Sequence, residues 1–258
     1  MNNSNILNVY KKVIKSGDLQ KNPHEIVKLV LTELSRTMKM ISDDIESDDI
    51  RGVLRLGSFV TLAPSVLPGL IKEFHENYTG VKLELQEGTQ EKLVEGLCSG
   101  SLEIALLYDL ELPDDIHTVE LAELEPYVLL PATHKLAEHD EIDLVKLAQE
   151  PMILFDVQPS RGFFLGLLKS AGVTPDIAYT TSSLELVRGM VGRGLGYSLL
   201  VTRPHGDLTY EGASLIARPI KNNTTKSRIV LASLANLRPT RVMSRFEAVA
   251  QIYFASWK

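Results

Sequence analysis

Residues 53–85 read VLRLGSFVTLAPSVLPGLIKEFHENYTGVKLEL, and this stretch decides the fold. Val53, Leu54, Leu56 and Phe59 form a short apolar run of strand type, which Gly57 and Ser58 are expected to break. A helical pattern follows through Leu67, Leu70, Ile71 and Phe74 and ends between Asn77 and Gly80. Val81, Leu83 and Leu85 then alternate with Lys82, Glu84 and Gln86, as a half-buried strand should. Strand, helix and strand in this order predict a parallel β-α-β unit. Its chemistry lies at the turn where the first strand hands over to the helix, where Ser58 and Thr61 stand beside backbone N–H groups that a helix start leaves without partners. That turn can bind a polar ligand group, or either hydroxyl can simply cap its own helix. Composition does not separate the two.

With 258 residues the chain can bury a sizeable core, enough for two lobes. Apolar residues at 44% and charged residues at 23% fit a globular protein and not a disordered one. A net charge of -6 argues against a chain that grips nucleic acid over its whole surface. The one cysteine, Cys98, excludes an internal disulfide and a thiolate-rich metal site; it reads as a small apolar packer or a redox sensor. The start, MNNSNILNVYKK, is no secretory signal, and no run of 18 apolar residues is present. The expected place is the cytoplasm, with no membrane contact.

Toward the N-terminus, residues 6–21 carry Lys11, Lys12, Lys15 and Lys21 around a turn at Ser16-Gly17-Asp18, a pattern that fits a basic hairpin or a frayed end. From Pro23, Val27, Leu31, Leu34, Met38, Ile41 and Ile45 recur at spacings of four and three. This heptad stripe predicts a helix that pairs with a second chain or packs on its own body. The acidic run before Gly52 reads as a hinge.

Beyond the opening unit, Lys92–Gly100 reads as a helix, Ile104–Tyr108 as a buried strand, and Val119–Pro131 as two strands parted by Pro126. A second lobe follows with strands at Met152–Leu154 and Ile177–Thr180, helices after Gly162 and from Leu184, and turn glycines at Gly192, Gly194 and Gly196. Those glycines follow a helix and precede a strand, the reverse of a dinucleotide fingerprint. A strand at Ser227–Leu234 and a helix from Arg241 to Trp257 return the chain to the first lobe. Two crossings make a hinge.

The run RGVLRLGSFVTLAPSVLPGLIKEFHENYTGVKLELQEG, then LVEGLCSGSLEIALLY, then ELVRGMVGRGLGYSLL, resembles the effector-binding domain of LysR-type transcriptional regulators. The resemblance implies an α/β, two-lobed fold like a type 2 periplasmic binding protein, preceded by a long N-terminal helix. Lobe I would comprise residues 51–125 and 223–258, and lobe II residues 126–222. Residues 23–50 correspond to the family's linker helix, which dimerises, with LQKNPHEIV as a degenerate copy of its opening segment. Residues 1–22 correspond to a remnant of the wing of a winged helix-turn-helix. The rest of that DNA-reading head does not precede them, so DNA is an expected partner only where the head is supplied. A shortened chain, a gene fragment and a natural regulator without a head all fit.

The resemblance also implies a small-molecule effector between the lobes. Candidates on one side are Ser58, Val60, Thr61, Tyr108 and Asp109; across the cleft stand Ser160, Arg161, Thr181, Ser182, Tyr197 and Ser198. Arg161 can pair with a carboxylate or stay solvated. The expected partner besides the effector is a second copy, a homodimer that a tetramer through the lobes would extend. Six scattered histidines without HExxH, and the absence of GxSxG, predict no enzyme, no metal and no cofactor. A stand-alone solute-binding protein is the alternative, though it would want an export signal and no heptad helix.

Overall fold

The first strand is buried from Leu56 to Phe59 and has a neighbouring strand along each edge. In the computed structural model, which describes residues 50–257, β1 (Gly52–Phe59) runs parallel to β2 (Val81–Gly88) on one side and β3 (Ile104–Tyr108) on the other. The connections are α1 (Ala63–Asn77) and α2 (Gln90–Ser99), so the opening β-α-β unit is parallel, as its sequence predicts. The predicted break at Gly57 and Ser58 is absent: both residues sit inside β1, paired with Gln86 and Glu87 of β2. Gly57 serves packing. A Cβ there would lie 2.8 Å from Leu102 Cδ1 and 2.9 Å from Leu93 Cδ2, so the missing side chain is what lets α2 close on the sheet.

The expectation for β2 needs a second correction. Val81 is buried, but Leu85 is 52% exposed, because β2 is an edge strand with little packed on that face. The first sheet has the order β2-β1-β3-β10-β4, adding β4 (Ile116–Leu124) and β10 (Ser227–Leu234). β10 runs antiparallel to both of its neighbours, with Ile229 opposite Tyr108. Helix α5 (Arg241–Ser256), capped by Thr240, covers this sheet together with α1; Phe246 and Phe74 meet with ring centroids 5.0 Å apart.

The chain then passes Pro126 into a second set of strands. β5 (Tyr127–Pro131) lies between β8 (Ser198–Leu200) and β9 (Leu215–Pro219), both antiparallel to it. β6 (Pro151–Phe155) pairs in parallel with β7 (Asp176–Thr181). Hydrogen bonds from Ile153 N–H to Tyr197 O (2.8 Å) and from Tyr197 N–H to Pro151 O (3.0 Å) join these two small sheets into one second set. Helices α3 (Ser160–Ser170) and α4 (Leu184–Gly192) follow β6 and β7. Gly196, at φ 155°, lets β8 start: a Cβ there would fall 2.2 Å from Pro151 O.

Two cores result. One holds the first sheet, α1, α2 and α5, and continues into Tyr127, Phe155, Val187 and Leu200 of the second set. The other, around Leu130, Leu154, Leu168 and Leu199, belongs to the second set alone. The heptad stripe of Val27, Leu31, Leu34, Met38, Ile41 and Ile45, the helix of residues 23–50 before its last residue, and the wing remnant of residues 1–22 lie outside the described residues. No helix among the described residues is long and apolar enough to cross a membrane.

Candidate functional site

A narrow cleft lies where the strand ends of the two sets face each other. The first set contributes Thr61 from the turn after β1, Tyr108 at the end of β3, Leu110 just beyond it and Ser227 at the start of β10. From the second set come Phe155 at the end of β6, Ser160, Phe163 and Phe164 of α3, Leu184 of α4, and Leu200, Val201 and Thr202 after β8. The cleft is pinched. Its volume open to the centres of water molecules is about 20 Å³, on the order of one water.

Hydroxyl groups span the gap. Thr61 Oγ1 and Tyr108 Oη are 3.1 Å apart, and Tyr108 Oη is also hydrogen-bonded to Thr202 Oγ1. Tyr127 Oη donates to the carbonyl of Thr202 at 3.0 Å, fixing the same residue from behind. Burial pushes the Tyr108 phenol above its ordinary value, against the smaller opposing effect of its hydrogen bonds with Thr202 and Thr61. Burial also raises Tyr127, despite the nearby Arg188 and Arg203. Both rings therefore keep their protons and remain donors at neutral pH.

Neighbouring elements hold the walls. The Gln90 side-chain amide, at the start of α2, donates to Leu110 O. Arg188, 4% exposed in α4, pairs with Glu185 at 2.9 Å and donates to Gly206 O and Leu208 O at 2.9 and 2.8 Å. It thereby ties the segment after Thr202 to the helix.

The structure distributes the residues expected from sequence unevenly. Thr61, Tyr108 and Ser160 line the cleft. Ser58 is buried within β1, its Oγ donating to Phe59 O at 3.4 Å, and Val60 N–H is bonded to Gly88 O, so neither side chain lines the crevice. Neither Ser58 nor Thr61 caps α1, whose N-cap is Leu62. Asp109 is paired with Arg228 at 2.7 Å and Arg161 with Asp156 at 2.7 Å. The Thr181 hydroxyl accepts the Ser183 N–H, and Ser182 is exposed. Tyr197 is buried in the second core, where burial and then the Glu150 charge push its phenol up to about 12, and Ser198 is buried in β8.

Residues absent from that expectation include the aromatic wall, Thr202 and Ser227. Ser227 carries no local signal, since a serine opening a strand is commonplace. Among the described residues no group of three or more His, Cys, Asp or Glu side chains is placed to hold a metal ion.

This geometry has close parallels. The description "LysR substrate binding domain" matches residues 47–254. The chain belongs to that family. HinK, a LysR family transcriptional regulator from Pseudomonas aeruginosa, is 38% identical with a TM-score of 0.74, over 87% of this chain and 76% of that one. The effector binding domain of QuiR, solved in complex with shikimate, shares the fold at 21% identity and a TM-score of 0.71, over 81% of this chain and 99% of that one. Among curated relatives, the uncharacterized HTH-type transcriptional regulator YybE of Bacillus subtilis (strain 168) is 30% identical over 155 residues, 58% of this chain and 52% of YybE. The chain spans about half the length of the curated relatives it matches. The two-lobed, periplasmic-binding-protein-like fold expected from sequence is thus that of a LysR effector-binding domain.

Proposed function

We propose that this LysR substrate-binding chain is the effector-sensing, dimerising portion of a transcription regulator, which holds a small molecule between its two lobes and passes that event to DNA-reading heads. The observation that carries the reading is the hydroxyl chain from Thr61 through Tyr108 to Thr202, which crosses the cleft between the two sheets. A ligand that competes for these hydroxyls favours one arrangement of the lobes over another, and such differential affinity shifts the population. Lobe I consists of residues 51–125 and 223–258, lobe II of residues 126–222. The ligand meets Thr61, Tyr108 and Ser160 directly. Ser58, Val60, Asp109, Arg161, Thr181, Ser182, Tyr197 and Ser198 shape the surrounding loops and strands.

The heptad residues Val27 to Ile45 pair two copies, so lobe motion would change the angle between linker helices. The protein performs no chemical step, works in the cytoplasm as a homodimer, and reaches DNA only where a winged helix-turn-helix head of the family type is supplied. Thermal melting of the chain against a metabolite panel tests the reading. At least one small molecule is expected to raise the melting temperature of the wild type and to lose most of that effect in Tyr108→Phe and Thr202→Val. Hits whose effect survives both substitutions would place the ligand elsewhere and refute the proposal.

A further inference from the structure

Five hydroxyls and no charged side chain line the cleft: Thr61, Tyr108, Ser160, Thr202 and Ser227. The rest of the wall is apolar, with three aromatic rings from Phe155, Phe163 and Phe164. The adjacent arginines are committed, Arg161 to Asp156 and Arg228 to Asp109. The start of α3 is partly filled as well, because Arg161 N–H goes to Val157 O and Phe163 N–H to Pro159 O. An ionised group entering here would lose its water without meeting a counter-charge, which is the most costly kind of burial.

A hydroxyl differs from a cation in offering acceptor lone pairs beside its proton. The Thr61–Tyr108–Thr202 chain spends two of its three protons on its two internal hydrogen bonds, which leaves one proton and several lone pairs for a ligand. Ser227 adds a second polar point. It is 1% exposed, lines the cleft, and its Oγ has no hydrogen-bond partner within the structure. A buried hydroxyl in that condition destabilises the fold until a partner arrives, and a ligand group is the partner this cleft admits. As it stands the cleft holds on the order of one water, so a ligand enters by parting the lobes, and the three phenylalanine rings along the wall suit one ring with small substituents.

On the reading that the cleft is the effector site, we infer that Ser227 contacts the ligand and that the ligand is an uncharged, single-ring molecule whose substituents, of amide or hydroxyl type, both donate and accept hydrogen bonds. The phenylalanine rings take the ring; Ser227 and the hydroxyl chain take the substituents. Arg161 has no part in binding.

The test pairs an amide with a carboxylate on the same ring. Benzamide, 3-hydroxybenzamide, benzoate and 3-hydroxybenzoate are titrated calorimetrically into the full chain, its Ser227→Ala variant and its Thr202→Val variant, with unliganded melting curves as fold controls. The amides are expected to bind about tenfold or more tightly than the matching carboxylates. Ser227→Ala should weaken the amides about tenfold, the equivalent of one hydrogen bond, without lowering the unliganded melting temperature. Carboxylates that bind as well as amides, amides that fail to bind at millimolar concentration, or an amide affinity indifferent to Ser227→Ala would each overturn the inference. Thr202→Val separates the two levels: a bound carboxylate, or an amide indifferent to Ser227→Ala, that it weakens keeps the cleft reading standing while the inference falls, and a bound probe that neither variant weakens sinks both.

Discussion

Tyr108 ends a strand of one sheet and hydrogen-bonds to a residue that follows a strand of the other. Its replacement by Phe removes two hydrogen bonds and leaves the Thr61 and Thr202 hydroxyls buried with one partner fewer each. We expect Tyr108→Phe to cost about 1–3 kcal/mol, read as a lower urea midpoint at unchanged slope. The same phenol sets a pH dependence. Burial holds Tyr108 and Tyr127 above the ordinary value of 10.0, and Tyr197 is pushed up to about 12. The folded chain therefore keeps protons that the unfolded chain gives up. Their stabilising contribution is whole below pH 10.0 and drains as the pH climbs from there toward the folded values. Melting temperature should fall above about pH 10, and fall less steeply in Tyr108→Phe. Thr61 and Tyr108 could be named from sequence because the ends of parallel strands and the starts of helices are where open α/β sheets bind ligands, and Ser160 because the resemblance to LysR effector-binding domains implies a facing wall. Ser227 could not. It begins its strand, and only the antiparallel course of β10 beside β3 brings that beginning to the edge where Tyr108 ends.

Among the elements, β1 shows how a turn residue misleads. Gly57 and Ser58 look like a strand end in the chain, yet in the fold both lie within β1, and at Gly57 Leu93, Leu102 and Ala105 press on the space a side chain would fill. Gly57→Ala should therefore destabilise by about 1–3 kcal/mol through overpacking, against a small gain expected at an unhindered strand position. Thermal melts of the variant check this. The helices were legible because their apolar spacing survives folding: Leu67, Leu70 and Phe74 of α1 and Phe246 and Ala250 of α5 are buried as their periods imply. Across that interface Phe246→Ala should cost about 3–5 kcal/mol. Strand burial was less legible. The alternation of β2 reports a pleat but not whether a neighbour covers it, and Leu85 faces solvent because β2 closes the sheet. Short β9, whose Leu215–Pro219 run carries Arg218 and ends in proline, gave no strand signal; β5 recruits it through five register pairs.

At the scale of the whole molecule, two passages join the strand sets, one through Glu125 and Pro126 and one through residues 221–226. Few backbone links cross, while the first core continues from one set into the other beneath the cleft. A body of this kind can open to a ligand with small movements at the passages, and the hydroxyl chain is what ligand binding would rearrange. The two-crossing plan was readable because the sequence returns a strand and helix after the second set; the tightness of the cleft was not, since it depends on which side chains converge. The central claim is that a small molecule binds between the lobes. Hydrogen exchange followed by mass spectrometry, on the chain with and without each stabilising metabolite, tests it most directly. Slowed exchange is expected together in the segments at residues 60–62, 108–110, 160–164, 200–202 and 227–229. Protection confined to the outer edges, at β2 or β7, with those five segments unchanged, would contradict it.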